Sequence, residues 1–332
     1  MGAPSRGEGQ LPQGNGAAEG TLDPVDEQLV RLLMRDGRAG YVELGARVDL
    51  SGDAARERLK RLIADDVIKV VGSVSPATVG LESFALVGIT VSGPALPVAR
   101  ALADLPAADL VVQTTGMFDI IAELVCRDDR ELLRVLDETV RTVPGVAKCL
   151  VMQYLSVEKY AMEGSQQLLV GGGHPGDPAH ASAWEDVDDS DRALISVLQQ
   201  DGRASFKQLA EHSGVPYASA RRRVLRLLER GVVRIVTITN QLLFGQRVQA
   251  GVGMRVQGPI PDVVRRLADL DEVEIVAATT GPYDLLLEVN CASRADLYRL
   301  TGTVLRGIEG VVSTETFSYI DIHKLPYTWT AL

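Results

Sequence analysis

The sequence predicts an α+β protein made of one unit used twice, each unit a three-helix module followed by a βαββαβ sheet domain. Three observations predict this: a self-match at one constant offset, helical spacing of apolar residues at the start of each copy, and strand-like runs after it. The offset is 165 residues, and it carries Asp36-Gly37-Arg38-Ala39 onto Asp201-Gly202-Arg203-Ala204. It also carries Arg56, Arg58, Arg61 and Leu62 onto Arg221, Arg223, Arg226 and Leu227. Far downstream it still carries Thr115-Gly116, Asp119, Glu123, Cys126, Gly145-Val146 and Tyr154 onto Thr280-Gly281, Asp284, Glu288, Cys291, Gly310-Val311 and Tyr319. No insertion separates these anchors, so two copies of one fold are expected, at about residues 23–160 and 188–325.

The first helix opens at Asp23-Pro24-Val25-Asp26, with Asp23 as N-cap, Pro24 in the first turn and Asp26 suited to the helix dipole; Asp188 and Asp191 repeat the signal. Val25, Leu29, Leu32 and Leu33 follow at helical spacing, and Gly37 is expected to end the helix in a left-handed cap. A second helix is expected over Val42–Val48 and Phe206–His212. After turns at Asp49-Leu50-Ser51 and Gly214-Val215-Pro216, a third runs to about Ala64 and Glu229. Three short helices with a tight turn before the third make a winged or three-helix helix-turn-helix module, whose third helix can enter a DNA major groove.

The sheet domain of the first copy reads as strand Phe84–Val91, helix Ala95–Ala103, strands Asp109–Thr115 and Phe118–Cys126, helix Asp129–Thr142 and strand Val146–Val157. That order gives a four-stranded antiparallel sheet with two helices on one face, the ferredoxin-like arrangement. Strands such as Leu110-Val111-Val112 and Ile120-Ile121-Ala122 are apolar on both faces, so the face without helices must be covered too, and pairing of the two copies would cover it. The expected division is a disordered tail over 1–21, helix-turn-helix modules over 22–72 and 188–237, sheet domains over 82–160 and 247–325, and a flexible linker over 161–187. The linker is rich in Gly, and its 27 residues have a root-mean-square span of about 29 Å.

With 46% hydrophobic residues and 23% charged, the chain has the composition of a globular protein. No apolar run reaches the roughly 18 residues of a membrane span, and no secretory signal is visible, so a cytoplasmic protein without membrane contact is expected. Cys126, Cys149 and Cys291 lack metal-ligand spacing and are expected as buried thiols. The four histidines are dispersed, and a metal pair of His174 and His180 in the linker is disfavoured. No paired carboxylates, nucleophile elbow or phosphate loop is evident, so no catalytic residue, metal or cofactor is expected.

A net charge of −10 argues against nucleic acid for the chain as a whole, but the charge is unevenly placed. From Pro216 to Val236 there are six arginines against the single acid Glu229. Residues 51–71 carry five basic groups against four acidic ones. Candidate contacts to double-stranded DNA are therefore Ser51, Arg56, Arg58, Lys60 and Arg61 in the first copy, and Tyr217, Ser219, Arg221, Arg222, Arg223 and Arg226 in the second. The second module is expected to dominate affinity.

The helix-turn-helix followed by βαββαβ, with Asp-Gly-Arg after the first helix and Thr-Gly-x-aromatic-Asp between the middle strands, resembles the Lrp/AsnC (feast/famine) family. The resemblance covers both copies. It implies a transcriptional regulator that associates through its sheet domains and binds a small effector, commonly an amino acid, between them. By resemblance, Thr115, Gly116, Phe118 and Asp119, with Thr280, Gly281, Tyr283 and Asp284, fall on the effector loop, although a Thr-Gly turn also stands as a purely structural feature. The fusion implies that one chain is an internal pseudo-dimer, itself expected to form homo-oligomers. The same two-module architecture also resembles siroheme decarboxylases, whose His-rich pattern near the first strand of the sheet domain has no counterpart at Ser83–Ile89 or Arg247–Gly253. A ligand-binding scaffold without DNA contact is the remaining alternative.

Overall fold

The computed structural model describes residues 22–65, 67–74, 80–160, 187–239 and 248–324. The expected tail lies outside the described residues, as does the linker except for Val187, and with it His174 and His180.

In the first copy the helical module consists of α1 (Pro24–Arg35), α2 (Tyr41–Arg47) and α3 (Gly52–Ala64), followed by strand β1 (Ile68–Ser73). Asp23 caps α1, its Oδ1 accepting from the amides of Val25 at 2.9 Å and Asp26 at 2.8 Å. Ser51 caps α3, its Oγ accepting from Ala54 N at 3.1 Å. The turn between α2 and α3 requires a left-handed residue, supplied here by Asp49 at φ 55° and in the second copy by Gly214 at φ 70°. One expectation fails: Gly37 is not left-handed, because α1 ends at Asp36 in extended conformation. Gly37 is small for another reason. A Cβ there would lie 2.7 Å from Ile235 Cγ2 of the second copy, so only glycine lets that strand pass.

The sheet domain of the first copy holds β2 (Ser83–Val91), α4 (Ala95–Ala103), β3 (Ala108–Thr115), β4 (Ile120–Cys126), α5 (Asp129–Val135) and β5 (Val146–Tyr160). The helix expected over Asp129–Thr142 is α only to Val135 and continues as a π-helical turn, Leu136–Val140. The second copy repeats the series as α6 (Asp189–Gln200), α7 (Phe206–Ser213), α8 (Tyr217–Glu229), β6 (Arg234–Thr239), β7 (Val248–Val256), α9 (Ile260–Ala268), β8 (Val273–Thr279), β9 (Leu285–Cys291), α10 (Arg294–Arg299) and β10 (Val311–Lys324).

The eight long strands close one barrel in the order β10-β3-β4-β2-β5-β8-β9-β7. Each copy contributes four neighbouring strands, and two antiparallel seams, β5–β8 and β10–β3, join them. Tyr154 pairs with Thr279 in one seam and Tyr319 with Thr114 in the other, positions related by the same 165-residue offset. Each sheet therefore buries both faces, as its doubly apolar strands require. Outside, α4 and α5 cover Val87, Ile89, Val111 and Leu124; α9 and α10 cover the matching set. Inside, Leu86, Val112, Phe118, Ile121, Met152, Tyr283, Leu286 and Phe317 form a core shared by the two copies.

Close packing inside the barrel explains two strand glycines. A Cβ on Gly88 would meet the Phe118 ring at 2.5 Å, and one on Gly253 would meet the Tyr283 ring at 2.7 Å. Gly88→Ala and Gly253→Ala are each expected to cost about 1–3 kcal/mol by overpacking, to be read from the midpoint of urea unfolding. Cys126 and Cys291 are buried, Cys149 is half-buried, and all three are free thiols.

Candidate nucleic-acid interface and effector site

The two helical modules are joined directly. Strands β1 and β6 pair antiparallel from Ile68↔Thr239 to Ser73↔Arg234, and each strand lies beneath the other copy's first helix. Ile235 of β6 packs on the core of the first module, and Val74, just after β1, belongs to the core of the second.

On α3 and α8 the repeated arginines divide into two sets. Arg58 and Arg61 pair with Asp26 at 2.9 and 2.7 Å, Arg61 with its side chain more than half exposed, and Arg58 also pairs with Asp23. Arg223 and Arg226 reach Asp191 at 3.0 and 2.5 Å, and Arg223 reaches Asp188 at 2.7 Å. Asp26 is 3% exposed and Asp191 is fully buried, so these pairs pin the third helix to the first. The pairing keeps the Asp23 and Asp188 carboxyls below the usual carboxylate range; hydrogen bonds from Arg58 to Asp23 and from the Asp191 amide to Asp188 contribute most. Ser219 is half-buried and accepts from Arg223 Nε at 3.3 Å, while the Ser51 hydroxyl is occupied as a cap.

The second set faces solvent. Arg56 and Lys60 are exposed on α3; Tyr217, Arg221 and Arg222 are exposed on α8. The first module's exposed face also carries Asp53 and Glu57, with Glu57 Oε1 bonded to Lys60 Nζ at 2.9 Å. No acid is exposed on α8 before Glu229. The positive face of the second module is therefore the less compensated of the two.

The Thr-Gly loops lie on the seams. Gly116 has φ 124° and Gly281 φ 101°, conformations that call for glycine. A Cβ on Gly116 would lie 3.0 Å from Thr316 O of the other copy. Thr280 N donates to Gln153 O at 2.9 Å, so that loop also rests on the opposite copy's last strand. Thr115, Gly116, Thr280 and Gly281 are exposed, whereas Phe118 and Tyr283 are buried in the barrel, 4% and 5% exposed. Asp119 Oδ2 accepts from Val91 N at 2.9 Å and Asp284 Oδ2 from Val256 N at 2.8 Å, tying each loop to the end of the neighbouring strand. Each aspartate thus has a structural duty and keeps a second carboxylate oxygen.

The barrel interior holds a group of residues to which sequence reasoning gave no role. Glu123, Tyr154, Glu288 and Tyr319 line a partly open cavity of about 30 Å³, with Leu86, Leu110 and Leu286 among its apolar walls. That volume holds about one water and no amino acid. Tyr154 Oη donates to Glu123 Oε1 at 2.8 Å. Burial and the nearby Glu274 and Glu123 raise the Glu288 carboxyl to about 8, and burial raises Glu123 as well. The only visible signal was that both pairs recur at the 165-residue offset.

Of the described histidines, His212 on α7 has Nδ1 2.8 Å from Gln208 O, and His323 on β10 has Nε2 2.7 Å from Gln113 Oε1. No group of three or more His, Cys, Asp or Glu among the described residues is placed to hold a metal ion. No helix among them is long and apolar enough to cross a membrane.

Comparison with known proteins agrees with the internal repeat. Residues 22–63 match an AsnC-type helix-turn-helix domain and residues 187–234 a winged helix-turn-helix DNA-binding domain. Residues 81–165 match a C-terminal dimeric alpha+beta barrel domain and residues 249–328 an Lrp/AsnC ligand binding domain. An uncharacterized HTH-type transcriptional regulator of Pyrococcus furiosus is 31% identical over 143 residues, which cover 42% of this chain and 97% of the relative. The HTH-type transcriptional regulator LysM of Saccharolobus solfataricus is 30% identical over 130 residues, 39% of this chain and 91% of its own. Such relatives have the length of one copy. The crystal structure of the siroheme decarboxylase NirDL superposes over 91% of this chain and 94% of its own with a TM-score of 0.57; at 15% identity the likeness is one of fold. With the repeat, the modules and these relatives in agreement, the chain belongs to the Lrp/AsnC family of helix-turn-helix transcriptional regulators, as a form that carries the family's two-domain unit twice.

Proposed function

We propose that the protein is a sequence-specific DNA-binding transcriptional regulator whose two joined helical modules read two unequal half-sites, and whose barrel responds to a small effector, an amino acid being the chemistry most in keeping with the loop. The observation that carries the reading is the exposed basic face of α8, Tyr217, Arg221 and Arg222, on a module locked to a second one of the same fold. DNA contact then belongs first to the side chains that face solvent, Arg61 among them although it pairs with Asp26, while the half-buried Arg58, Arg223 and Arg226 hold the reading helices in place. Arg222→Glu is expected to weaken binding more than Arg56→Glu and to lower the slope of log affinity against log salt by about 1–2. Equal losses for the two, measured by mobility shift at matched salt, would reject the unequal roles.

The 30 Å³ cavity is too small for an amino acid, and the effector site we propose is the exposed rim, Thr115-Gly116 and Thr280-Gly281, with Asp119 and Asp284 as the charged groups that would hold an ammonium. Homo-oligomers of internal pseudo-dimers are part of the same reading. Asp284→Asn keeps an acceptor for the Val256 amide and removes the charge. It is expected to abolish the effector's influence on DNA binding while the fold stays intact, and an unchanged titration would reject the site. We assign no catalytic role, no cofactor and a cytoplasmic setting, in keeping with the family of the relatives.

A further inference from the structure

The Asp-Gly-Arg-Ala motif is the longest string shared by the two helical modules, and its arginines do not stay within their own module. Arg38 donates through Nη1 to Gly202 O at 2.8 Å and through Nη2 to Ala204 O at 3.0 Å. Arg203 returns the same bonds, to Gly37 O at 2.7 Å and Ala39 O at 2.8 Å. Each motif is therefore both the donor and the receiver of a two-pronged guanidinium contact. Asp36 and Asp201 order the motif backbone, accepting from the amides of Arg38 and Arg203 at 2.9 Å each.

The same guanidinium groups stack on aromatic rings of the opposite module. Arg203 lies 4.7 Å from the centroid of Tyr41 and Arg38 lies 5.5 Å from that of Phe206. These rings also meet the DNA-facing helices: Arg56 is 6.0 Å from Tyr41 and Arg221 is 6.0 Å from Phe206. A line of contact thus runs from the motif of one copy, through a ring at the start of α2 or α7, to an exposed arginine of the other copy's reading helix. The β1–β6 ladder alone would leave the modules free to twist, since two-stranded ribbons vary widely in twist. Two half-buried arginine forks beside that ladder remove the freedom.

We propose that Arg38 and Arg203 are positioning residues that fix the separation and mutual rotation of α3 and α8, and so set the half-site spacing that the protein accepts. The proposal rests on the DNA-reading assignment above for its consequence, but the lock itself can be tested without DNA. Lysine keeps the charge and cannot reproduce a two-pronged contact, so R38K/R203K separates geometry from charge, and Y41L/F206L removes the rings alone.

In the first measurement, spin labels are placed at the exposed positions 42 and 207 in a Cys149→Ser background, and distances are measured in the free protein. The parent is expected to give one narrow distribution; R38K/R203K and R38A/R203A are expected to give one at least twice as broad, with the urea midpoint showing that they remain folded. In the second, affinities are measured for duplexes whose half-sites are moved by half a helical turn, about 5 bp, and for duplexes holding one half-site. The parent is expected to bind the shifted duplex at least tenfold more weakly, the arginine variants to lose most of that discrimination, and single half-site affinity to change less than threefold in all. Y41L/F206L is expected to lie between parent and arginine variants in both measurements.

Narrow distances in folded arginine variants, or full spacing discrimination retained by them, would overturn the proposal. Restoration of the parent's behaviour by lysine would show that charge acts and the fork does not, and would overturn it equally. If no duplex is bound at any spacing while the distances broaden as stated, the lock stands and the DNA-reading assignment fails.

Discussion

Glu288→Gln is expected to flatten much of the protein's pH dependence of stability. In the native barrel the carboxyl sits at about 8, against 4.5 for an ordinary glutamate, because it is buried with Glu274 and Glu123 nearby. A native value above the unfolded one means that the neutral form is favoured on folding. The associated stability is complete below about pH 4.5 and is lost as pH rises through about 8. Across that window each pH unit removes up to about 1.4 kcal/mol for this one proton, a total of several kcal/mol. Glutamine has nearly the same shape and no proton to lose. Urea unfolding from pH 5 to 9 should show a falling midpoint for the parent and a shallower fall for the variant, the remaining slope coming from Glu123 and Asp109, which burial also raises. Parallel profiles would show that Glu288 ionises inside the barrel without penalty.

Asp191→Ala is expected to be among the most damaging single changes in the helical half of the protein. Asp191 is fully buried, receives Arg223 and Arg226, and closes the capping box of α6 with Asp188. Its removal leaves Arg226 without its carboxylate and Arg223 with Asp188 alone, and breaks the return bond of the capping box from the Asp188 amide, for a cost of about 1.5–3 kcal/mol. Asp191→Asn keeps an acceptor for the cap and loses the charge, so it should fall between the two. Thermal unfolding would check the order; a loss below about 1 kcal/mol for Asp191→Ala would mean that Asp188 alone holds Arg223.

Features set by neighbours in sequence were legible. Asp23, Ser51 and the Asp188/Asp191 box cap the helices they were expected to start, and α4 has the bounds read from the sequence. The covering of each sheet by the other copy followed from strands apolar on both faces, joined to a repeat without insertions. Features decided by distant partners were not legible. Arg58 and Arg223 look like DNA-facing arginines in sequence because their aspartates lie a whole helix earlier. Gly37 reads as a helix stop because the strand that crosses it belongs to the other copy. The winged alternative allows strands after the third helix, but no bounds are read for Ile68–Ser73 or Arg234–Thr239, since each is stabilised by pairing with the other rather than by its own pattern. The resemblance sets Phe118 and Tyr283 on the effector loop, yet both rings lie in the shared core.

The two seams of the barrel also change what dilution can do. In an assembly of separate subunits, seams like these are held by mass action, and melting shifts with protein concentration. Here both seams close within one polypeptide, so mass action between chains is not what holds them. One-to-one pairing of unlike halves is then guaranteed at any expression level. That guarantee lets the halves diverge without the risk of like-with-like pairing, and the differences between α3 and α8 are the kind of change it permits.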